Sequence, residues 1–117
     1  IHKITAATNP GHVVNPAQID RQVAGSFVYG LSAMLYGEIT VKDGAVEQTN
    51  FDTYNMLRMD EMPKVETVLV PTHDFWGGVG EPTIAVAAPA VLNAIAKARG
   101  KRVRDLPLMH HELKKGA

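Results

Sequence analysis

A chain of 117 residues lies within the size range of one domain, so a second independent core is not expected. An apolar fraction of 45% against 21% charged excludes disorder of the kind that low hydrophobicity and high net charge produce. Twelve Lys and Arg balance twelve Asp and Glu, so no global field favours nucleic acid or an anionic membrane. With no cysteine, a disulfide, a thiolate nucleophile and a cysteine-held metal within the chain are all excluded.

The sequence opens on Ile1 and shows no basic-then-apolar leader and no apolar run of about 18 residues. The expectation is a chain processed, or cut, from something longer, with no membrane span and with its compartment open. Ile1 to Thr8 is β-compatible and predicts a short entering strand, closed by a turn at Asn9-Pro10-Gly11. Asn15 before Pro16 supplies an N-cap side chain and a first-turn proline. Ile19, Val23, Phe27, Leu31, Met34 and Leu35 then recur at helical spacing, predicting a helix that ends near Gly37. Its Gly25, Ser26, Gly30, Ser32 and Ala33 lower helix propensity but allow a backbone or a ligand to come close.

Ile39 to Val41 and Ala45 to Glu47 flank Lys42-Asp43-Gly44, a β-hairpin pattern in which Asp-Gly supplies positive φ. Phe51 to Arg58 is ambiguous. Between Pro63 and Pro71, the run through Val65, Thr67 and Leu69 predicts a mostly buried strand. A glycine loop follows. Ala87 to Ala98 then predicts a second helix with Pro89 in its first turn and Gly100 closing it. The end, from residue 109 to 117, reads as a polar tail after a segment of 1–108. Two main helices with short mixed or antiparallel strands place the chain in the α+β class.

The chemistry concentrates at Gly77-Gly78-Val79-Gly80-Glu81-Pro82. Its glycines can enter φ > 0 and bring backbone close to a bulky ligand, or can form a plain strand-to-helix turn. Glu81 has no charged neighbour within several positions. Were the loop buried, desolvation would make this carboxylate a better proton acceptor near neutral pH, the profile of a general base. A glutamate favoured by the dipole at a helix start fits the same spacing. Phe75-Trp76 either lines a funnel or anchors the loop by burial. Lys97, Arg99, Lys101, Arg102 and Arg104 form a solvated helix end more readily than a phosphate patch, since no aromatics interleave with them. His110 and His111 lack partners at metal-ligand spacing and read as tail residues.

Val13-Val14-Asn15-Pro16, Gln22-Val23-Ala24-Gly25 with Tyr29-Gly30-Leu31, Gly78-Val79-Gly80-Glu81-Pro82, and Ala88-Pro89-Ala90 with Asn93-Ala94 follow in order along the chain. Together they resemble the C-terminal part of the molybdopterin-binding large subunits of the xanthine dehydrogenase and aldehyde oxidoreductase family, over the chain up to about Leu108. Arg21 to Ser26, Leu35 to Thr40 and Leu57-Arg58-Met59 are most similar to the isoquinoline 1-oxidoreductase β-subunit branch. Ala6-Ala7-Thr8-Asn9 departs from the Asp-Cys-Gly-like turn of many members, and Pro82-Thr83-Ile84 from the usual follow-on, which puts the substrate class in doubt.

The resemblance implies a molybdenum hydroxylase that inserts water-derived oxygen at an electron-poor carbon of an N-heterocycle or aldehyde. Glu81 would be its general base, Gln22 would hydrogen-bond the molybdenum–molybdopterin cofactor, and Gly78, Val79 and Gly80 would shape the wall beside it. Gln22 could equally tie down backbone. Most of the cofactor would be held by the remainder of the subunit, and electrons would leave through an iron–sulfur or cytochrome (haem) partner, with a small molecule as substrate. A non-catalytic binding or assembly domain is the alternative, and nucleic-acid binding through residues 97–104 ranks last.

Overall fold

In the computed structural model, which describes residues 1–113, the entering strand β1 is Lys3–Thr8 and pairs in parallel with β4, Lys64–Leu69. The register runs from Lys3 opposite Lys64 to Thr8 opposite Leu69. A parallel pair needs a long crossover, and the helix α1, Pro16–Tyr36, lies within it and packs back on the sheet. Lys3 and Glu66 form an exposed ion pair across the two strands, a contact of small energetic weight.

α1 begins where expected. The Asn15 side chain accepts from the Gln18 N–H at 3.3 Å, Pro16 occupies the first turn, and the Gly37 N–H closes the far end on the Ala33 carbonyl at 3.1 Å. Its apolar stripe, Ile19, Val23, Phe27, Leu31 and Met34, is the centre of the core and is joined by Ala6, Leu57, Ala87, Val103 and Leu108. Ser32 serves a second purpose. Its hydroxyl donates to the Val28 carbonyl at 2.6 Å and accepts from the Leu57 N–H at 3.0 Å, which fixes the irregular segment after the hairpin onto α1.

The hairpin strands β2, Val41–Lys42, and β3, Ala45–Val46, are shorter than the pattern suggested, with Asp43 at φ 51° and Gly44 at φ 79° in the turn. Thr40 extends the pairing through side chains, its N–H donating to Gln48 Oε1 at 2.8 Å.

Two expectations are corrected. β4 is half-buried, with Val65, Thr67 and Leu69 partly covered and Glu66 and Val68 exposed, because only one face of the two-stranded sheet is packed. The second helix, α2, is Pro82–Arg99 rather than Ala87 to Ala98, so Pro89 lies inside it. Pro82 holds the first-turn position instead. Pro89 is accommodated because it and Ala85, whose carbonyl loses its helical donor, both face solvent. Gly100, at φ 69°, ends α2 with its N–H on the Ala96 carbonyl at 2.9 Å.

A short 3-10 turn, Leu108–His110, straddles the boundary expected between 108 and 109. Leu108 is buried, and His110 Nε2 lies 3.0 Å from Glu38 Oε1. The rest of the expected tail, residues 114–117, lies outside the described residues. The radius of gyration is 16.7 Å, against about 13 Å for a compact domain of this length.

Candidate functional site

The glycine loop is delivered to α1 by the first turn of the chain. Asn9 Oδ1 accepts from the Gly11 N–H at 3.0 Å, which sets Gly11 at φ 76°. The Gly11 carbonyl then receives the His73 N–H at 2.9 Å, and the Pro10 carbonyl receives the Gly77 N–H at 3.0 Å. Both ends of this clamp are backbone, so it positions the loop whatever the intervening side chains are.

Beyond the clamp, Gln22, Gly25, Ser26 and Tyr29 line a cleft of about 410 Å³ with Gly80, Glu81 and Ile84. The four α1 residues stand at i, i+3, i+4 and i+7, one face of a helix. Three of the residues singled out from the sequence, Gln22, Gly80 and Glu81, therefore meet in one place. Val79 does not join them. It lines a neighbouring cleft of about 260 Å³ with Pro10, His12, Gln18, Trp76 and Gly77, and Gly78 lines neither cleft.

Glu81 occupies the N-cap position of α2, yet its side chain makes no capping hydrogen bond. The loop is exposed, so burial by this chain alone does not supply the desolvation considered for Glu81. None of Gly77, Gly78 and Gly80 uses positive φ, which corrects the expectation that the loop needs it. A Cβ at Gly78 or Gly80 would meet nothing within 4 Å. Neither backbone strain nor crowding by the described residues therefore accounts for glycine at these two positions, and the space beside them is open to a bulky group.

Phe75 is 96% exposed and Trp76 67% exposed, so neither anchors the loop by burial. Trp76 instead stacks on His12, with ring centroids 5.9 Å apart and planes 18° from parallel. The cations Lys97, Arg99, Lys101, Arg102 and Arg104 are exposed at the end of α2, where they suit the helix dipole. Among the described residues no group of three or more His, Asp or Glu gathers as metal ligands, and no helix is long and apolar enough to cross a membrane.

Sequence reasoning passed over Ser26 as a site residue, counting it only among the small residues of α1. Its hydroxyl reaches the Gln22 carbonyl at 2.9 Å and also the Gly80 carbonyl, tying α1 to the loop directly before Glu81. The signal available was its position four residues after Gln22, on the same helical face.

The arrangement offers one carboxylate, one primary amide and a wall with little side-chain bulk, which suits close approach of a large polar cofactor and a single proton transfer. A family profile described as molybdopterin cofactor-binding domain matches residues 1–63. Over 108 residues the chain is 32% identical to the isoquinoline 1-oxidoreductase subunit beta of Brevundimonas diminuta, covering 92% of this chain and 14% of that protein. It is 31% identical to the xanthine dehydrogenase molybdenum-binding subunit of Escherichia coli O157:H7, covering 92% of this chain and 15% of that one. Among solved structures, CO dehydrogenase from Oligotropha carboxidovorans superposes with a TM-score of 0.72 at 25% identity, over 88% of this chain and 14% of that one. The chain thus spans only about a seventh of the relatives it matches. On this evidence the chain belongs to the molybdopterin cofactor-binding domain family, that of the molybdenum-binding subunits of xanthine dehydrogenase and isoquinoline 1-oxidoreductase.

Proposed function

We propose that the chain is the C-terminal portion of the molybdopterin-binding part of a molybdenum hydroxylase, and that Glu81 acts there as general base on an N-heterocyclic or aldehyde substrate. The observation that carries the reading is the cleft in which Glu81, Gly80 and Gln22 converge beside glycines that nothing in the chain crowds. The fit to the cofactor rests on the same surface. Gln22 offers an amide that can donate and accept, and the Gly78 to Gly80 backbone leaves room for a large ligand with exposed N–H groups. Molybdenum–molybdopterin, when bound, would supply the two-electron oxidation of the substrate carbon.

The chain's own residues contribute binding and proton handling. Gln22 hydrogen-bonds the cofactor's polar edge, and Val79 and Gly80 form the wall. Glu81, whose carboxylate is engaged by no helix N–H, accepts the proton given up as a water-derived oxygen is transferred to carbon. Exclusion of water falls to the rest of the subunit, because the loop is open in this chain.

The need for that remainder is supported by the radius of gyration of 16.7 Å and by a sheet of only two parallel strands, fewer than stand alone in water. Phe51, Met59 and Phe75 are each more than 85% exposed and give apolar surface for such an association. An iron–sulfur or haem partner would carry the electrons away, as subunits of multi-subunit oxidoreductases require.

The test is molybdenum analysis of the natively purified protein containing this chain, with turnover of an aldehyde and an N-heterocycle by wild type and Glu81→Gln. Molybdenum present and turnover reduced by about a hundredfold or more in the variant supports the base assignment. A fully assembled protein without molybdenum, or undiminished turnover in Glu81→Gln, returns the chain to a binding or assembly role.

A further inference from the structure

The glycines that leave the loop open also leave it loose, since glycine backbone has the greatest conformational freedom. A base works only when its carboxylate is held, and displacement by about 1 Å can cost about a hundredfold in rate. Glu81 is not held through its side chain, which makes no capping bond, and Pro82 after it carries no N–H. On its C-terminal side the Ile84 N–H donates to the Glu81 carbonyl at 2.9 Å. On its N-terminal side the only partner of the Gly80 carbonyl among the described residues is the hydroxyl of Ser26.

We propose that Ser26 is a positioning residue: from α1 its hydroxyl grips the Gly80 carbonyl and so sets where the Glu81 carboxylate stands in the cleft it shares with Gln22. The inference rests on the reading of Glu81 as base. Ser26 is 3% exposed, which removes competition from water for its hydroxyl. Its one proton is shared between the Gln22 carbonyl, at 2.9 Å, and the Gly80 carbonyl. The Gln22 carbonyl, inside the helix, is the regular acceptor for the backbone N–H four residues on, so releasing the hydroxyl to Gly80 leaves it satisfied. One side chain thereby couples the backbone of the proposed cofactor contact to the backbone of the proposed base.

The experiment uses the full-length protein that contains this chain and compares Ser26→Ala, Ser26→Thr and Glu81→Gln. Readouts are kcat, KM, molybdenum content and hydrogen exchange of the peptide spanning residues 77–84. Ser26→Ala is expected to lower kcat about ten- to a hundredfold with KM and molybdenum content unchanged, and to speed exchange in the loop, while Ser26→Thr, which keeps the hydroxyl, restores most of both. Wild-type kcat and wild-type loop exchange in Ser26→Ala, even with a lowered melting temperature, would overturn the positioning role. An inactive Glu81→Gln beside an unaffected Ser26→Ala overturns this inference alone, whereas a fully active Glu81→Gln removes the base reading and this inference with it.

Discussion

Gly30 and Ala87 meet where the two helices pack: a Cβ on Gly30 would come within 2.6 Å of the Ala87 Cβ and 2.8 Å of the Ile84 carbonyl oxygen. Gly25, five residues earlier on α1, has nothing within 4 Å of the same position. Gly30→Ala should therefore destabilise the fold by about 1–3 kcal/mol through overpacking, while Gly25→Ala should stabilise it by about 0.5–1 kcal/mol through helix propensity. Urea midpoints of the two variants check this, and shifts of the same sign would contradict the packing described for α1 and α2.

The start of α1 rests on one side chain. Asn15 Oδ1 accepts from the Gln18 N–H at 3.3 Å, and Asn15→Ala should cost about 1 kcal/mol by leaving that donor to solvent. Asn15→Asp should retain most of the stability. A thermal scan in which the alanine and aspartate variants melt together would show that the cap is not a determinant.

Tyr36 and Glu61 make the stability depend on pH in a defined window. The Glu61 carboxyl is held below its ordinary 4.5 chiefly by the Tyr36 hydroxyl, then by the Arg58 N–H. The Tyr36 phenol is raised above 10.0 chiefly by its hydrogen bond to Glu61, then by burial and by the charges of Glu61 and Asp60. A depressed carboxyl adds stability that is present above pH 4.5 and is lost as pH falls through its folded value. A raised phenol adds stability that is present below pH 10.0 and is lost as pH rises through its folded value. Wild type should exceed Tyr36→Phe in melting temperature most between those two limits, with the gap closing on both sides. A gap that is constant from acid to alkali would mean the pair contributes by packing alone.

The open space at the glycine loop separates a folding role from a site role. Gly78→Ala and Gly80→Ala should change stability by no more than about 0.5 kcal/mol, because an added Cβ meets nothing in the chain. If a cofactor rests against this surface, both variants should lose molybdenum content or turnover several-fold while melting as wild type does. Full activity in both would mean that nothing bulky approaches the loop.

Features decided over a few residues were legible without coordinates. Asn15-Pro16 starts a helix, Asp43-Gly44 turns a hairpin and Gly100 ends a helix, because each choice depends on local φ and on neighbouring N–H and C=O groups. The same local reasoning misplaced the start of α2. Two prolines, Pro82 and Pro89, each suit a first turn, and which one holds it depends on whether Pro89 and Ala85 face solvent, a property of tertiary packing.

By itself, then, the sequence determined the α+β class, the stripe of α1 that forms the core, the family, and the grouping of Gly78 to Glu81 as the place to look for chemistry. Only the tertiary structure decided that β1 and β4 run parallel, that Trp76 stacks on His12 instead of being buried, and that Ser26 reaches Gly80 across 54 positions of chain. The physical reason is one of range. Caps, turns and helical periodicity are settled by energies between near neighbours, whereas strand pairing, exposure and the α1–loop contact are settled by which distant surfaces bury one another, and no spacing within either segment encodes that choice.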